Sequence, residues 1–94
     1  MDYDIEWTEE AREDYRTVTS YLLDVYDFEV ADRFTDTVAN KMLLLEKTPY
    51  IGRKLKDLSS VRKFPVEPYT MLYYTVINRK VIILNLLDMR RSIS

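Results

Sequence analysis

The residues of this chain that could do chemistry are carboxylates, arginines, lysines and tyrosines, because its 94 residues include no histidine and no cysteine. The commonest general base near neutral pH and the commonest metal ligand are therefore absent, and we expect neither a metal nor a cofactor. General-base catalysis would need a carboxylate such as Glu67 or Asp88, or a lysine or tyrosine of lowered pKa. Cations that could stabilise an anionic transition state and aromatic rings that could stack on a ligand lie in the C-terminal half. They are Arg62, Lys63, Arg79, Arg90 and Arg91, and Tyr69, Tyr73 and Tyr74.

Each of these candidates also has a purely structural interpretation. Neighbouring residues on a strand point to opposite faces, so one of Tyr73 and Tyr74 is expected in the core, and the sequence does not say which. Arg62 and Lys63 split across the two faces in the same way, so only one of them can join a given patch. Asp88 could pair with one of the C-terminal arginines in a surface ion pair worth about 0–1 kcal/mol. Those arginines could equally form a solvated tail.

The charge of the chain is divided between its halves. The net charge is −2, but residues 1–51 carry thirteen acids and five bases, whereas residues 52–94 carry nine bases and three acids. These blocks could neutralise each other on folding or leave a basic face for an anionic partner. The longest apolar run, Val81–Leu84, is far shorter than the ~20 residues of a membrane span. Met1–Asp4 is acidic and lacks the basic and apolar regions of a signal peptide, so we expect none. We expect a cytoplasmic protein without membrane contact.

Two periodic segments follow an N-terminal strand. Apolar and polar residues alternate over Tyr3–Trp7, which predicts a half-buried strand. Thr8 and Asp27 are each typical helix N-caps, and apolar residues recur at spacings of three and four after both. The short connection predicts an antiparallel hairpin that ends near Pro49. The two stripes are Ala11, Tyr15, Val18, Leu22 and Val25, and then Ala31, Phe34, Val38, Met42 and Leu45.

The pattern changes to a period of two in the C-terminal half. Val61–Val66, Tyr69–Ile77 and Val81–Leu87 predict a three-stranded antiparallel meander, with a bulge or an edge at Pro65 and a turn at Glu67. The last strand is apolar on both faces and should lie inside the sheet. The only glycine, Gly52, is predicted to supply an unrestricted backbone position between helices and strands. The sequence thus indicates one α+β domain over residues 1–94, in the order β-α-α-β-β-β, with the helices on one face of an antiparallel sheet.

These segments, in this order, resemble the RelE/ParE superfamily of type II toxin–antitoxin toxins. The similarity includes a Pro-x-x-Gly-Arg signature after the second helix and a Tyr-x-apolar-apolar-Tyr strand. The chain departs from the family pattern at Asp88, where a histidine is usual, and in its acidic total charge. The segments that carry the resemblance are Ile5–Ala11, Leu45–Arg53, Arg62, Tyr69–Tyr73 and Ile83–Arg91.

The resemblance implies a toxin that a cognate antitoxin neutralises. The toxin could form a hetero-oligomer with the antitoxin, or a homodimer. A ParE-like (plasmid stabilisation) toxin would inhibit growth by acting on DNA gyrase through a binding surface, without being an enzyme. A RelE-like toxin would be a ribosome-dependent mRNA endonuclease. The absence of histidine, the acidic balance and the Pro-x-x-Gly-Arg segment favour the ParE-like branch. A decayed, non-toxic module and a plain partner-binding domain of the same fold remain alternatives.

The same resemblance, with the basic C-terminal half, selects candidate residues for contact with the target. No catalytic residue is assigned among them. The target-binding candidates are Arg53, Arg62, Lys63, Tyr69, Tyr73, Asp88, Arg90 and Arg91.

Overall fold

The computed structural model describes residues 2–89, which form two helices and a five-stranded sheet. Neither helix in this range is long and apolar enough to cross a membrane. In chain order the elements are β1 (Asp4–Trp7), α1 (Glu9–Val25), α2 (Phe28–Lys47), β2 (Arg53–Lys54), β3 (Arg62–Val66), β4 (Thr70–Ile77) and β5 (Lys80–Asp88).

Both predicted N-caps begin their helices. The Thr8 hydroxyl accepts a hydrogen bond from the Ala11 amide at 3.1 Å, and the Asp27 carboxylate accepts one from the Val30 amide at 3.0 Å. These bonds satisfy amides that a helix start leaves unpaired. Only two residues separate α1 from α2, so the helices form the predicted hairpin.

The helical stripes supply half of the core, with one exception. Residues of both stripes are buried against the sheet, among them Leu22 and Phe34. Val25, which the spacing places in the first stripe, is instead 54% exposed because it lies in the last turn of α1, at the tip of the hairpin. Periodicity along a helix predicts which face is buried, but it does not predict how far along the helix the sheet beneath it extends.

The sheet is mixed, with strand order β1-β5-β4-β3-β2. The predicted meander is present, since β3, β4 and β5 pair antiparallel in sequence. The expectation of a wholly antiparallel sheet is wrong at its edge, because β1 pairs parallel with β5, Ile5 opposite Val81. β2 was not expected, since two residues give no periodic signal; it pairs antiparallel with the start of β3. β5 lies inside the sheet, as its two-sided apolar sequence predicts.

Of the two alternatives predicted at Pro65, the edge is observed and the bulge is not. Pro65 lies within a continuous β3, past the two residues that pair with β2, where its missing amide costs no ladder bond on that side. The register shift occurs instead between Tyr73 and Tyr74 opposite β5. Asn78 and Arg79 connect β4 to β5 with positive φ angles of 49° and 63°, which are typical of a tight two-residue hairpin turn.

The core lies between the hairpin and one face of the sheet, as predicted. Tyr74 is fully buried there, together with Leu72, Val81 and Ile83, whereas Tyr73 is half-buried on the opposite side. The structure thereby decides which of the two adjacent tyrosines is structural.

Candidate functional site

One face of the sheet has no helices packed on it. Along β4, Leu72 and Tyr74 point into the core, so the alternating residues Met71 and Tyr73 point to the other side. We call this side the open face. It is the part of the described structure where side chains of several strands meet without a covering layer.

Three predicted target-binding residues lie side by side on the open face. In the register of the sheet Arg53 pairs with Lys63, Lys63 with Tyr73, and Tyr73 with Asn85. Directly paired residues project to the same face, so these four side chains form one row across β2, β3, β4 and β5. With strands about 4.8 Å apart, the row is roughly 14 Å long. We call it the cationic row.

A second, apolar row runs beside the cationic row. Pro65 pairs with Met71, and Met71 with Leu87, one register step toward the β3–β4 turn. Leu87 is 41% exposed, and Met71 is half-buried. Arginine, tyrosine and methionine are enriched in protein interfaces. The open face therefore has the composition of a protein-binding surface with a cationic end.

The charges at that end are not neutralised. Within residues 2–89 no ion pair involves Arg53, Lys54, Lys56 or Lys63. Most other cations are compensated: Arg12 pairs with Glu9, Arg16 with Glu13, Lys41 with Glu67, Lys47 with Asp2 and Lys80 with Glu6. The linear charge division of the sequence thus persists in part, as a cationic edge at β2, although the Lys41–Glu67 and Lys80–Glu6 pairs join charges of the two halves.

Arg62 is not part of the row, although it neighbours Lys63. Its guanidinium donates hydrogen bonds to the backbone carbonyls of Tyr50 and Gly52. The expected split of Arg62 and Lys63 across two faces is observed, and Lys63 is the one that faces the open side.

The two carboxylates considered as bases also lie away from the row. Asp88 is 4% exposed and pairs with Thr70 on the helix-covered face. Glu67 lies in the β3–β4 turn with Oε1 3.1 Å from Lys41 Nζ. A hydrogen bond from its own backbone, and then the Lys41 ammonium, lower the pKa of the Glu67 carboxyl. A lowered pKa makes a carboxylate a weaker base.

The remaining candidates are dispersed. Tyr69 is exposed in the β3–β4 turn, where it lines a groove of about 400 Å³ with residues of the hairpin, including Leu22 and Phe34. Arg79 lies with its guanidinium 4.6 Å from the centroid of the Tyr3 ring. Arg90 and Arg91 fall outside the described residues, and their assignment stays a prediction.

Some residues of the open face were missed by reasoning from sequence. Lys54 and Lys56 add positive charge at the β2 edge, although Lys54 pairs with Arg62 and so does not project to the open face; the run of bases around Leu55 was a usable signal for this charge. The register of β4 and β5, which the sequence does not reveal, adds three further residues to the open face: Met71, Asn85 and Leu87. Among residues 2–89 there is no group of three residues that could hold a metal ion.

Comparisons with known proteins agree with this architecture. The family model for the ParE toxin of type II toxin–antitoxin systems matches residues 5–93. Comparison with curated protein sequences gave no match. Among solved structures, the chromosomal ParDE toxin–antitoxin system of P. aeruginosa aligns with a TM-score of 0.78 and 15% identity, over 93% of this chain and 96% of that one. The RelBE toxin–antitoxin complex of E. coli gives 0.65 and 18%, over 92% and 95%.

The fold of this chain is therefore shared with these structures. The YoeB/ParE toxin of Agrobacterium tumefaciens has it as well, with a TM-score of 0.65 and 13% identity over 90% of this chain and 96% of that one. The chain belongs to the ParE toxin family of type II toxin–antitoxin systems.

Proposed function

We propose that this toxin inhibits growth by binding DNA gyrase through the open face, with the cationic row as the centre of the contact. The observation that carries the proposal is the separation of candidate bases from candidate cations. Asp88 lies on the covered face and Glu67 is held by Lys41, so neither carboxylate stands beside Arg53 and Lys63. A surface with cations, an aromatic ring and apolar neighbours but neither of these carboxylates is suited to binding rather than to RNA cleavage.

The acidic character of the hairpin and the match to the ParE family support the same target. A cognate antitoxin is the second partner that we propose, since the P. aeruginosa and E. coli structures of this fold are described as toxin–antitoxin systems or complexes. An antitoxin that covers the open face would block the target directly, which gives neutralisation a simple steric basis.

Two assays separate gyrase from messenger RNA as the target. Purified toxin should inhibit supercoiling by gyrase, and primer extension on ribosome-bound mRNA should show no new ends. Induction in a bacterial host should arrest growth, and co-expression of the adjacent antitoxin gene should restore it. Cleavage of mRNA at codon-defined positions with unimpaired supercoiling would replace gyrase by the ribosome. Normal growth despite soluble toxin would indicate a decayed module or a plain binding domain.

A further inference from the structure

The segment between α2 and β2 is held by a buried tyrosine. The Tyr74 hydroxyl donates a hydrogen bond to the Pro49 carbonyl at 2.8 Å and accepts one from the Gly52 amide at 2.8 Å. Tyr74 is fully buried on β4, so its ring is fixed by the core. One hydroxyl therefore satisfies a donor and an acceptor at the two ends of a four-residue segment that lies between α2 and β2.

Arg62 holds the same segment from the neighbouring strand. Its Nη1 atom donates to the Tyr50 carbonyl at 3.0 Å and to the Gly52 carbonyl at 2.8 Å, and its guanidinium carbon lies 5.1 Å from the centroid of the Tyr50 ring. A charged donor bound to two carbonyls is directional and strong. The guanidinium is thus engaged with backbone rather than directed at the open face.

Gly52 makes this approach possible. A Cβ atom at this position would lie 2.6 Å from the Tyr74 hydroxyl oxygen and 2.9 Å from the Lys63 carbonyl oxygen. Gly52 has no positive φ, so the glycine serves close contact rather than unusual backbone geometry. The expectation that it supplies an unrestricted backbone position is therefore replaced by a steric reason.

The next residue along the chain is Arg53, the first member of the cationic row. β2 contains only Arg53 and Lys54, and a pairing of two residues is too short to fix a strand by itself. The position of Arg53 beside Lys63 consequently depends on how the segment before it is anchored.

We propose that Tyr74 and Arg62 are positioning residues that place Arg53 in the cationic row by fixing the backbone from Pro49 to Gly52. Neither contacts the target; both act through Arg53. The part of this inference that concerns gyrase rests on the proposed function, whereas the placement of Arg53 can be measured on the free toxin.

Amide hydrogen exchange tests the placement. In Tyr74→Phe and in Arg62→Met, the protection of the Arg53 and Leu55 amides should fall about tenfold, with Leu72 and Ile83 unchanged. The matched control is Thr75→Val, which removes the 2.6 Å bond from the adjacent β4 residue to the Ser60 carbonyl and should leave Arg53 protection intact. Unchanged protection at Arg53 in a folded Tyr74→Phe or Arg62→Met variant overturns the inference. Should Tyr74→Phe fail to fold, Arg53 amide protection in Arg62→Met decides, because Arg62 is only half-buried.

A double-mutant cycle tests the route to the target. Tyr74→Phe and Arg53→Ala should each weaken gyrase binding about tenfold, and the double variant should bind no more weakly than Arg53→Ala alone. If the losses of affinity in the two single variants add up in the double variant, Tyr74 does not act through Arg53. A merely structural effect of Tyr74→Phe would weaken binding whether or not the Arg53 side chain is present. If the unaltered toxin does not bind gyrase, the proposed function fails, and the exchange measurement still decides whether Tyr74 and Arg62 place Arg53.

Discussion

The carboxylate of Asp14 on α1 accepts a hydrogen bond from the backbone amide of Leu86 on β5, with Oδ2 and N 3.0 Å apart. Pairing of β1 with β5 ends at Trp7 and Ile83, so no β1 residue stands opposite Leu86. The Asp14 side chain thus accepts a hydrogen bond from a β5 amide that lies beyond the end of the short edge strand β1. It also joins the hairpin to the sheet by a directional bond in addition to apolar packing.

Loss of this bond should destabilise the fold measurably. Asp14→Ala leaves a partly buried amide without its acceptor, and we expect the free energy of unfolding to fall by about 1–2 kcal/mol. Chemical denaturation provides the measurement. The exposed Asp36→Ala on α2 is the control, with an expected change below about 0.5 kcal/mol. Equal effects of the two substitutions would show that the Asp14–Leu86 bond contributes nothing specific.

Gly52→Ala should be more damaging than a surface substitution in a loop usually is. The added methyl group collides with both Tyr74 and the Lys63 carbonyl, and overpacking of this kind costs about 1–3 kcal/mol. Combining it with Tyr74→Phe should not restore stability, because the clash with the β3 backbone remains. Recovery of the melting temperature in the double variant would identify the hydroxyl as the only obstacle.

Alkaline pH should reduce the stability of the fold through phenols that folding removes from water. Burial raises the pKa of Tyr74 above its ordinary value of 10.0, and burial raises that of Tyr15 as well. The neutral phenol is therefore favoured in the folded state, and its contribution is complete below pH 10 and lost as the pH rises through the raised value. Denaturation curves between pH 8 and pH 11 should show a smaller alkaline loss of stability in Tyr74→Phe. An identical slope would contradict the role assigned to this phenol.

Charge reversal in the cationic row should weaken target binding without affecting the fold. Arg53→Glu replaces an exposed cation that forms no ion pair within residues 2–89, so we expect affinity for the target to fall about 10–100-fold with an unchanged melting temperature. The defect should shrink as ionic strength rises, since salt screens exposed charges. Lys47→Glu, on the helical layer, is the matched control and should bind normally. A comparable loss in both variants would point to net charge rather than to the row.

Local features of the fold could be predicted from sequence, whereas features that depend on distant contacts could not. Thr8 and Asp27 as caps and the antiparallel meander follow from residue types over a few positions. The parallel pairing of β1 depends on β5, more than 70 residues away, and no local pattern encodes it. The choice between Tyr73 and Tyr74 likewise depends on the segment that receives the Tyr74 hydroxyl, 22 to 25 residues earlier.

The candidate site shows the same division. Arg53, Lys63 and Tyr73 could be proposed from composition and the family resemblance, but their alignment in one row depends on the register of three strand pairs. Arg62 illustrates the reverse case: its residue type suggests a target contact, and only its geometry shows that it binds backbone carbonyls.

The pairing of the first strand with the last has a consequence for biosynthesis. The Thr8 hydroxyl, which begins α1, also bonds to the Ile83 carbonyl 75 residues later, so entry into the first helix and closure of the sheet share one residue. During translation β1 has no strand partner until β5 leaves the ribosome, and contacts of such long sequence separation slow folding. A polypeptide that terminates before Lys80 would lack that strand partner altogether, so the five-stranded sheet can close only after β5 has been synthesised.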